Sequence, residues 1–239
     1  MSPTVLITGG TSGIGAATAR HFAAAGAAVT ITGRHADTVD PAAKRLGVEG
    51  IACDGTRPEQ VAAMAERLDA PVDVLVNAAG GLPPDVPEGI PPLEAVAQEW
   101  LSAMSLNVLT ATLTTAAVKD KLAAGGAVIS IGSIGAERGG GSYGASKAAL
   151  AAWNAFLAAE LGPRDITCNL ISSGYVADTN FFGDAMTPER HERLINQTLV
   201  KRPGTPDDIA QVIGFLASPG ARHITGQTLH VNGGAFTTR

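Results

Sequence analysis

The chain has 239 residues, 45% hydrophobic and 16% charged, with a formal net charge of −5. This composition excludes a disordered protein, and the length suits one α/β domain with a substantial core. No basic stripe is present, so no nucleic-acid partner is expected, and no uninterrupted apolar run approaches the roughly 18–20 residues of a membrane span.

Residues 1–8 lack the basic start and long apolar stretch of a secretory signal. The two cysteines, Cys53 and Cys168, fit neither a disulfide framework nor a four-ligand zinc site. No metal is expected, and a reduced cytoplasmic setting is. Glycine is abundant at 29 residues while aromatics make up only 4%. The core is therefore expected to consist of Ala, Val, Ile and Leu, with close backbone approaches.

In chain order, residues 4–8 read as a buried strand, followed by a glycine turn and a helix over 13–25. A second strand over 29–32 precedes a helix over 37–46 and a short strand over 50–53. Pro58 opens a helix running to Leu68, at a position where its missing N–H costs little. A β-branched strand follows over 72–76, then a helix, whole or broken, over 93–122. Strand 127–131, a long small-residue helix over 143–161 and strand 166–171 come next. A helix over 207–217 and a strand over 227–231 complete the pattern. Two loops stand out: the five-proline stretch 80–92, and the polar stretch 172–187 with Phe181 and Phe182.

Nearly all the strands are unalternating in polarity, and such continuous apolar runs imply burial on both faces of a parallel sheet. Strand and helix alternate along the chain. The expected architecture is a single α/β domain over 1–239, doubly wound, with a seven-stranded parallel sheet and helices on both faces.

Chemistry concentrates at a few points. The first strand runs into Thr8-Gly9-Gly10-Thr11-Ser12-Gly13-Ile14-Gly15. Glycines there allow a sharp turn and close approach to a pyrophosphate, which the N-terminus of the next helix favours. The spacing is T-G-x-x-x-G-x-G rather than G-x-G-x-x-G, and its place after the first strand points to dinucleotide binding. The second strand ends Thr32-Gly33-Arg34, without the acid that would hold the 2′-hydroxyl of NAD. Arg34 suits the 2′-phosphate of NADP, so NADP(H) is expected ahead of NAD(H); its alternative is a solvated surface arginine.

Tyr143 and Lys147 stand four residues apart at the start of the long helix and share a face. An ammonium beside a phenol lowers the phenol's pKa. Moving it from about 10 to near 7 takes roughly 4 kcal/mol. Such a phenol gives a proton to a carbonyl oxygen or takes one from an alcohol. Ser133 follows the strand over 127–131, at the carboxyl edge where parallel sheets bind ligands. Ser130 competes with it but lies within the strand. Asn107 sits mid-helix, where Asn is a poor helix former and needs a reason to be.

Together these residues resemble the short-chain dehydrogenase/reductase family. The glycine loop, Asn77-Ala78-Ala79-Gly80, Asn107, Ser133, Tyr143-x-x-x-Lys147 and the ending Ile224-Thr-Gly-Gln-Thr-Leu-His-Val-Asn-Gly-Gly234 occur in the family's order along the whole chain. The resemblance implies a Rossmann fold and a catalytic tetrad. Tyr143 is the general acid/base, Lys147 lowers its pKa and holds the nicotinamide ribose, Ser133 orients the carbonyl, and Asn107 positions a water in a proton relay. Asp54 matches the residue that contacts the adenine; Gly174, Val176 and Thr179 match the stretch on the carboxamide side of the nicotinamide. Gly9, Thr11, Ser12, Gly13, Ile14, Gly15, Arg34, Asn77, Ala78, Ala79 and Gly80 complete the expected cofactor contacts.

Departures from the family pattern also matter. Ala78 replaces the second Asn of Asn-Asn-Ala-Gly, and Ser173-Gly174 replaces Pro-Gly, which removes a φ restraint and implies a more mobile loop. Gly139-Gly140-Gly141 gives a low-walled substrate rim, and the expected walls are Leu82, Ile134, Tyr175, Phe181, Phe182 and Met186. Arg138 is a candidate partner for a substrate anion. A 3-oxoacyl thioester on acyl carrier protein, with Arg164 in a docking patch, and a small apolar ketone or alcohol are both compatible readings. A non-catalytic NADP-binding redox sensor is the alternative of a different class. The long helix is apolar nearly all round, which implies burial on a second side and a homotetramer.

Overall fold

The computed structural model describes residues 2–238. Strands β1 (Thr4–Thr8), β2 (Ala28–Gly33), β3 (Glu49–Ala52), β4 (Val72–Asn77), β5 (Leu122–Ser133), β6 (Thr167–Ser173) and β7 (Thr228–Val231) form one sheet. Its order is β3-β2-β1-β4-β5-β6-β7, with every pairing parallel. The order reverses between β1 and β4, so a crevice opens there at the carboxyl ends of the strands.

Helices cover both faces, and the two-residue period of the strands sorts the core between them. Val5, Ile7, Val74, Val76 and Ile129 pack with α1 (Gly13–Ala24), α2 (Ala36–Leu46) and α8 (Pro206–Leu216). Leu6, Leu75 and Val128 pack on the other face with α3 (Pro58–Glu66), α5 (Thr110–Val118) and α6 (Gly141–Leu161). The expected doubly wound seven-stranded architecture is the observed one.

Several boundaries differ. β5 begins at Leu122 rather than near 127 because its Gly-rich start still pairs with β4 at Val72. The helical stretch expected over 93–122 is broken into α4 (Pro92–Met104), one turn of π-helix at Ser105–Leu109, and α5. Taken together, Pro92–Lys121 is long and apolar enough by composition to cross a bilayer, an 18-residue window within it reaching a mean hydropathy of 1.4. Glu94, Gln98, Glu99 and Asn107 interrupt it, so it holds no continuous apolar run of that length. Its buried Asn107, Thr110, Thr114 and Thr115 bring polar groups into the protein interior, and we read it as part of the helical layer. A further helix, α7 (Pro188–Asn196), was not expected. Thr187 caps it by accepting from the Arg190 N–H, and Pro188 takes its first turn.

Candidate active site

The carboxyl ends of β1, β2, β4, β5 and β6 open onto one cleft of about 1060 Å³. At one end lies the loop between β1 and α1. Gly9 has φ +67°, and a Cβ there would stand 2.9 Å from the Ala79 backbone. Only glycine lets the two loops meet. Ser12 makes no side-chain cap on α1, so the first amides of that helix are left for an anion. Thr11, Ser12, Gly13, Ile14 and Gly15 all line the cleft, as do Arg34 and Asp54. Burial pushes the Asp54 carboxyl up, but hydrogen bonds from the Thr56 N–H and hydroxyl, with the charges of Arg57 and Arg34, outweigh it and hold the group below its usual value. Asp54 is thus a fixed anion.

Ala78, Ala79 and Gly80 form the middle wall. Replacement of the family's second Asn leaves this turn intact: the Ala79 N–H donates to Thr8 Oγ1 at 3.1 Å. Asn77 is placed differently from the expectation. Its buried side chain donates to Thr115 Oγ1 at 3.1 Å and is not among the cleft-lining residues. It braces β4 against α5 from behind.

Asn107 is also fully buried and outside the lining. Its Nδ2 donates to the carbonyls of Gly81 at 2.9 Å and Ala103 at 3.0 Å, and its Oδ1 accepts from the Gly81 N–H at 3.0 Å. The π turn is what brings this side chain to Gly81, and π turns recur at functional sites. A polar residue in mid-helix here clamps the loop that carries Gly80.

Ser133, Tyr143 and Lys147 all line the cleft. Ser133 ends β5 and accepts the Gly135 N–H at 3.1 Å. Ser130 is fully buried and does not line the cleft, so the choice between the two serines falls to Ser133. Lys147 donates to the Ile131 carbonyl at 2.9 Å, and its Nζ lies 5.8 Å from the Tyr143 ring centroid. Burial controls both groups. It pushes the Lys147 ammonium down to about 8. It pushes the Tyr143 phenol up to about 12, against a hydrogen bond with the Ser133 side chain that pulls it down. Burial of the phenol thus acts against the lowering expected from Lys147.

The far end is aromatic. Phe181 meets the Tyr143 ring edge-on at 5.4 Å and Phe182 at 4.8 Å. Tyr175 stands 6.2 Å from Phe182, and its hydroxyl is 2.6 Å from His191 Nδ1 on α7. Leu82, Ile134, Tyr175, Phe181 and Phe182 line the cleft as expected. Met186 does not; its sulfur lies behind, 3.9 Å from the Tyr175 hydroxyl. Gly174, Val176 and Thr179 do line it. The turn at Ser173-Gly174, expected to be loose, is held: Ser173 Oγ donates to the Gly132 carbonyl at 3.1 Å, and the Gly204 N–H donates to the Tyr175 carbonyl at 3.0 Å. Leu194, the end of the segment 175–194 expected to form the pocket, also lines the cleft, and Gln197 three residues on does too and was missed; the Thr-Pro-Glu cap signal at 187–189 was the only trace of α7 in the sequence.

A glycine-cradled anion site, a buried phenol–lysine pair and an adjoining apolar pocket in one cleft define a nicotinamide dinucleotide-dependent oxidoreductase. Comparison with known proteins agrees. A family model described as enoyl-(acyl carrier protein) reductase matches residues 9–236. Dehydrogenase/reductase SDR family member 4 of Sus scrofa is 33% identical over 245 residues, covering 96% of this chain and 85% of that protein. Galactitol 2-dehydrogenase (L-tagatose-forming) of Cereibacter sphaeroides is 34% identical, over 95% of this chain and 92% of its own. The crystal structure of a blue fluorescent protein from a metagenomic library, in complex with NADPH, has a TM-score of 0.83 at 33% identity over 98% of both chains. The chain belongs to the short-chain dehydrogenase/reductase family.

Proposed function

We propose that the protein interconverts a carbonyl and a secondary alcohol, with Tyr143 as general acid/base and NADP(H) as the preferred cofactor. The observation that carries this is the meeting of Ser133, Tyr143 and Lys147 in one wall of the cleft that also holds the glycine loop. When bound, the dinucleotide supplies or accepts the hydride. Residues 9–15 would hold its pyrophosphate, Asp54 its adenine side, Lys147 its ribose, and Gly174, Val176 and Thr179 its carboxamide side. Arg34 lines the same cleft, no acid closes β2, and a 33% identical structure binds NADPH. These support NADP(H) over NAD(H).

In the reducing direction Tyr143 donates its proton to the substrate oxygen. Burial keeps the phenol protonated at neutral pH, so the acid is in its working form. Ser133 Oγ accepts from the Gly135 N–H, which fixes the hydroxyl beside the Tyr143 phenol where the substrate oxygen would enter. Lys147 gives one donor to the Ile131 carbonyl and retains two for the ribose and the phenol. Asn107 acts through the Gly81 loop, and we keep for its neighbourhood the role of holding a relay water beside Lys147.

The substrate reading favours a free carbonyl compound with an apolar body. Arg164, the basic residue expected to dock acyl carrier protein, is engaged with the carbonyls of Lys119 and Leu122 at 2.7 and 2.6 Å. Lys121 is likewise engaged with the carbonyls of Ala65 and Leu68. A homotetramer is part of the proposal: Phe156 on α6 is 65% exposed, and Leu93 and Leu101 on α4 are 86% and 71% exposed, a surface that a lone chain leaves in water. A monomer in sedimentation would overturn it. Two buried free thiols, Cys53 and Cys168, support the cytoplasmic reading. The test of the activity is oxidation of NADPH and of NADH against a panel of ketones and 3-oxoacyl thioesters. Turnover with NADPH supports the reading; tight binding of NADPH with no turnover on any carbonyl overturns it in favour of a sensor.

A further inference from the structure

The charged side chains lining the cleft are Arg34, Asp54, Arg138 and Lys147. Arg34 and Asp54 belong to the dinucleotide end, and Lys147 is buried at the centre. Arg138 is the charge left for the substrate half. It extends from the rim after β5, which also carries Gly135 beside the Tyr143 ring. Its Nη1 donates to Gln197 Oε1 at 2.9 Å. Gln197 ends α7 and lines the cleft too. The pair therefore ties the rim after β5 to the end of α7, across the mouth of the apolar pocket.

Arg138 is chemically unspent. Arg138 is exposed and, like Arg34 in the same cleft, has no carboxylate partner among the described residues. Gln197 is neutral and takes one of five N–H donors, which orients the guanidinium at the cleft mouth and leaves its other donors and its charge open. A planar guanidinium held in this way matches a carboxylate with two parallel hydrogen bonds.

We propose that Arg138 is a specificity-determining residue that binds a carboxylate carried by the substrate at the end remote from the reacting carbonyl. The substrate class is then an oxo acid with an apolar spacer, and the corresponding hydroxy acid in reverse. The spacer lies along Ile134, Phe181, Phe182 and Leu194. This rests on the reading of the Tyr143 cleft as a carbonyl-reducing site and specifies what enters it.

The test uses levulinate and its longer straight-chain homologues, each paired with its methyl ester. The readout is the ratio of kcat/KM for acid over ester in wild type, Arg138→Gln and Arg138→Lys. At the best spacer length the acid is expected to be favoured by roughly ten- to a hundredfold, mainly through KM. Arg138→Gln brings the ratio near unity and Arg138→Lys restores part of it. Added salt weakens the preference, since the contact stands at an open mouth. Calorimetric titration of the same pairs into the NADP⁺-loaded protein reads the contact without turnover. Equal use of acid and ester by wild type, or a preference that survives Arg138→Gln, overturns the proposal while leaving the carbonyl-reductase reading intact. Binding of the acid that depends on Arg138, with neither compound reduced, upholds it and overturns that reading instead. Absence of turnover together with absence of acid binding overturns both.

Discussion

Lys147 is 5% exposed, and its ammonium is pushed down to about 8 by burial from an ordinary 10.5. Burying that charge therefore costs stability, and the cost can be worked out by pH. The unfolded chain keeps the proton up to 10.5, whereas the folded chain releases it near 8. The penalty is fully present below about 8 and fades as pH rises toward the unfolded value. At about 1.4 kcal/mol per unit this is about 3 kcal/mol near pH 7 and about 1 kcal/mol near pH 9.5. Lys147→Met removes the charge and with it the titration. It also leaves the Ile131 carbonyl without its donor, a loss of roughly 1–3 kcal/mol at either pH. The variant is thus expected to match or exceed wild type near pH 7 and to lose about 2 kcal/mol relative to it by about pH 9.5. Urea denaturation followed by tryptophan fluorescence, at one protein concentration for both proteins, measures this. A stability difference that stays constant between the two pH values would refute the argument that a buried ammonium is being relieved.

Other outcomes follow from the same geometry. Tyr143→Phe removes the acid but not the ring that meets Phe181, so kcat should fall by roughly 10²–10⁴ while NADPH affinity stays within about threefold; equilibrium titration beside steady-state kinetics separates the two. Gly80 has φ +150°, and a Cβ there would stand 2.5 Å from Asn107 Oδ1 and 3.3 Å from Lys147 Nζ. Gly80→Ala should cost at least about 1–3 kcal/mol from backbone strain and lower kcat by displacing the Asn107 clamp; unchanged melting and kinetics would show that the clamp does not matter. Arg34→Ala should raise the KM for NADPH roughly tenfold or more and leave that for NADH nearly unchanged, whereas an equal rise in both would remove the 2′-phosphate role.

The elements that could be read from the sequence are those whose residues obey one local rule. β1 and the Val74–Val76 stretch of β4 are apolar at consecutive positions, and that alone marks a central parallel strand. Tyr143 and Lys147 needed only the helical period to be placed side by side. What stayed hidden depended on tertiary context. The turn of π-helix at Ser105–Leu109 is one residue of slack in an otherwise regular helix, invisible to periodicity although Asn107 signalled an anomaly. α7 is short and mostly polar, so its cap was its only mark and Gln197 could not be associated with Arg138. The direction of the Tyr143 shift was also out of reach, because spacing reveals the neighbouring cation but not how deeply both groups are buried. The side-chain direction of Asn77 was hidden for a related reason: the motif places it in the turn, while the pleat of β4 aims its side chain at Thr115.

The proposed activity requires that Tyr143 protonate a carbonyl oxygen in a cleft that binds NADPH. A single-turnover experiment tests it most directly: protein preloaded with NADPH is mixed with excess carbonyl substrate in wild type and Tyr143→Phe, and NADPH absorbance is followed with alcohol formation. Matched consumption and product in wild type, slowed by roughly 10²–10⁴ in the variant, is the predicted result. Equal rates in the two proteins would contradict the role of Tyr143, and NADPH consumed without alcohol formed would contradict the reaction itself.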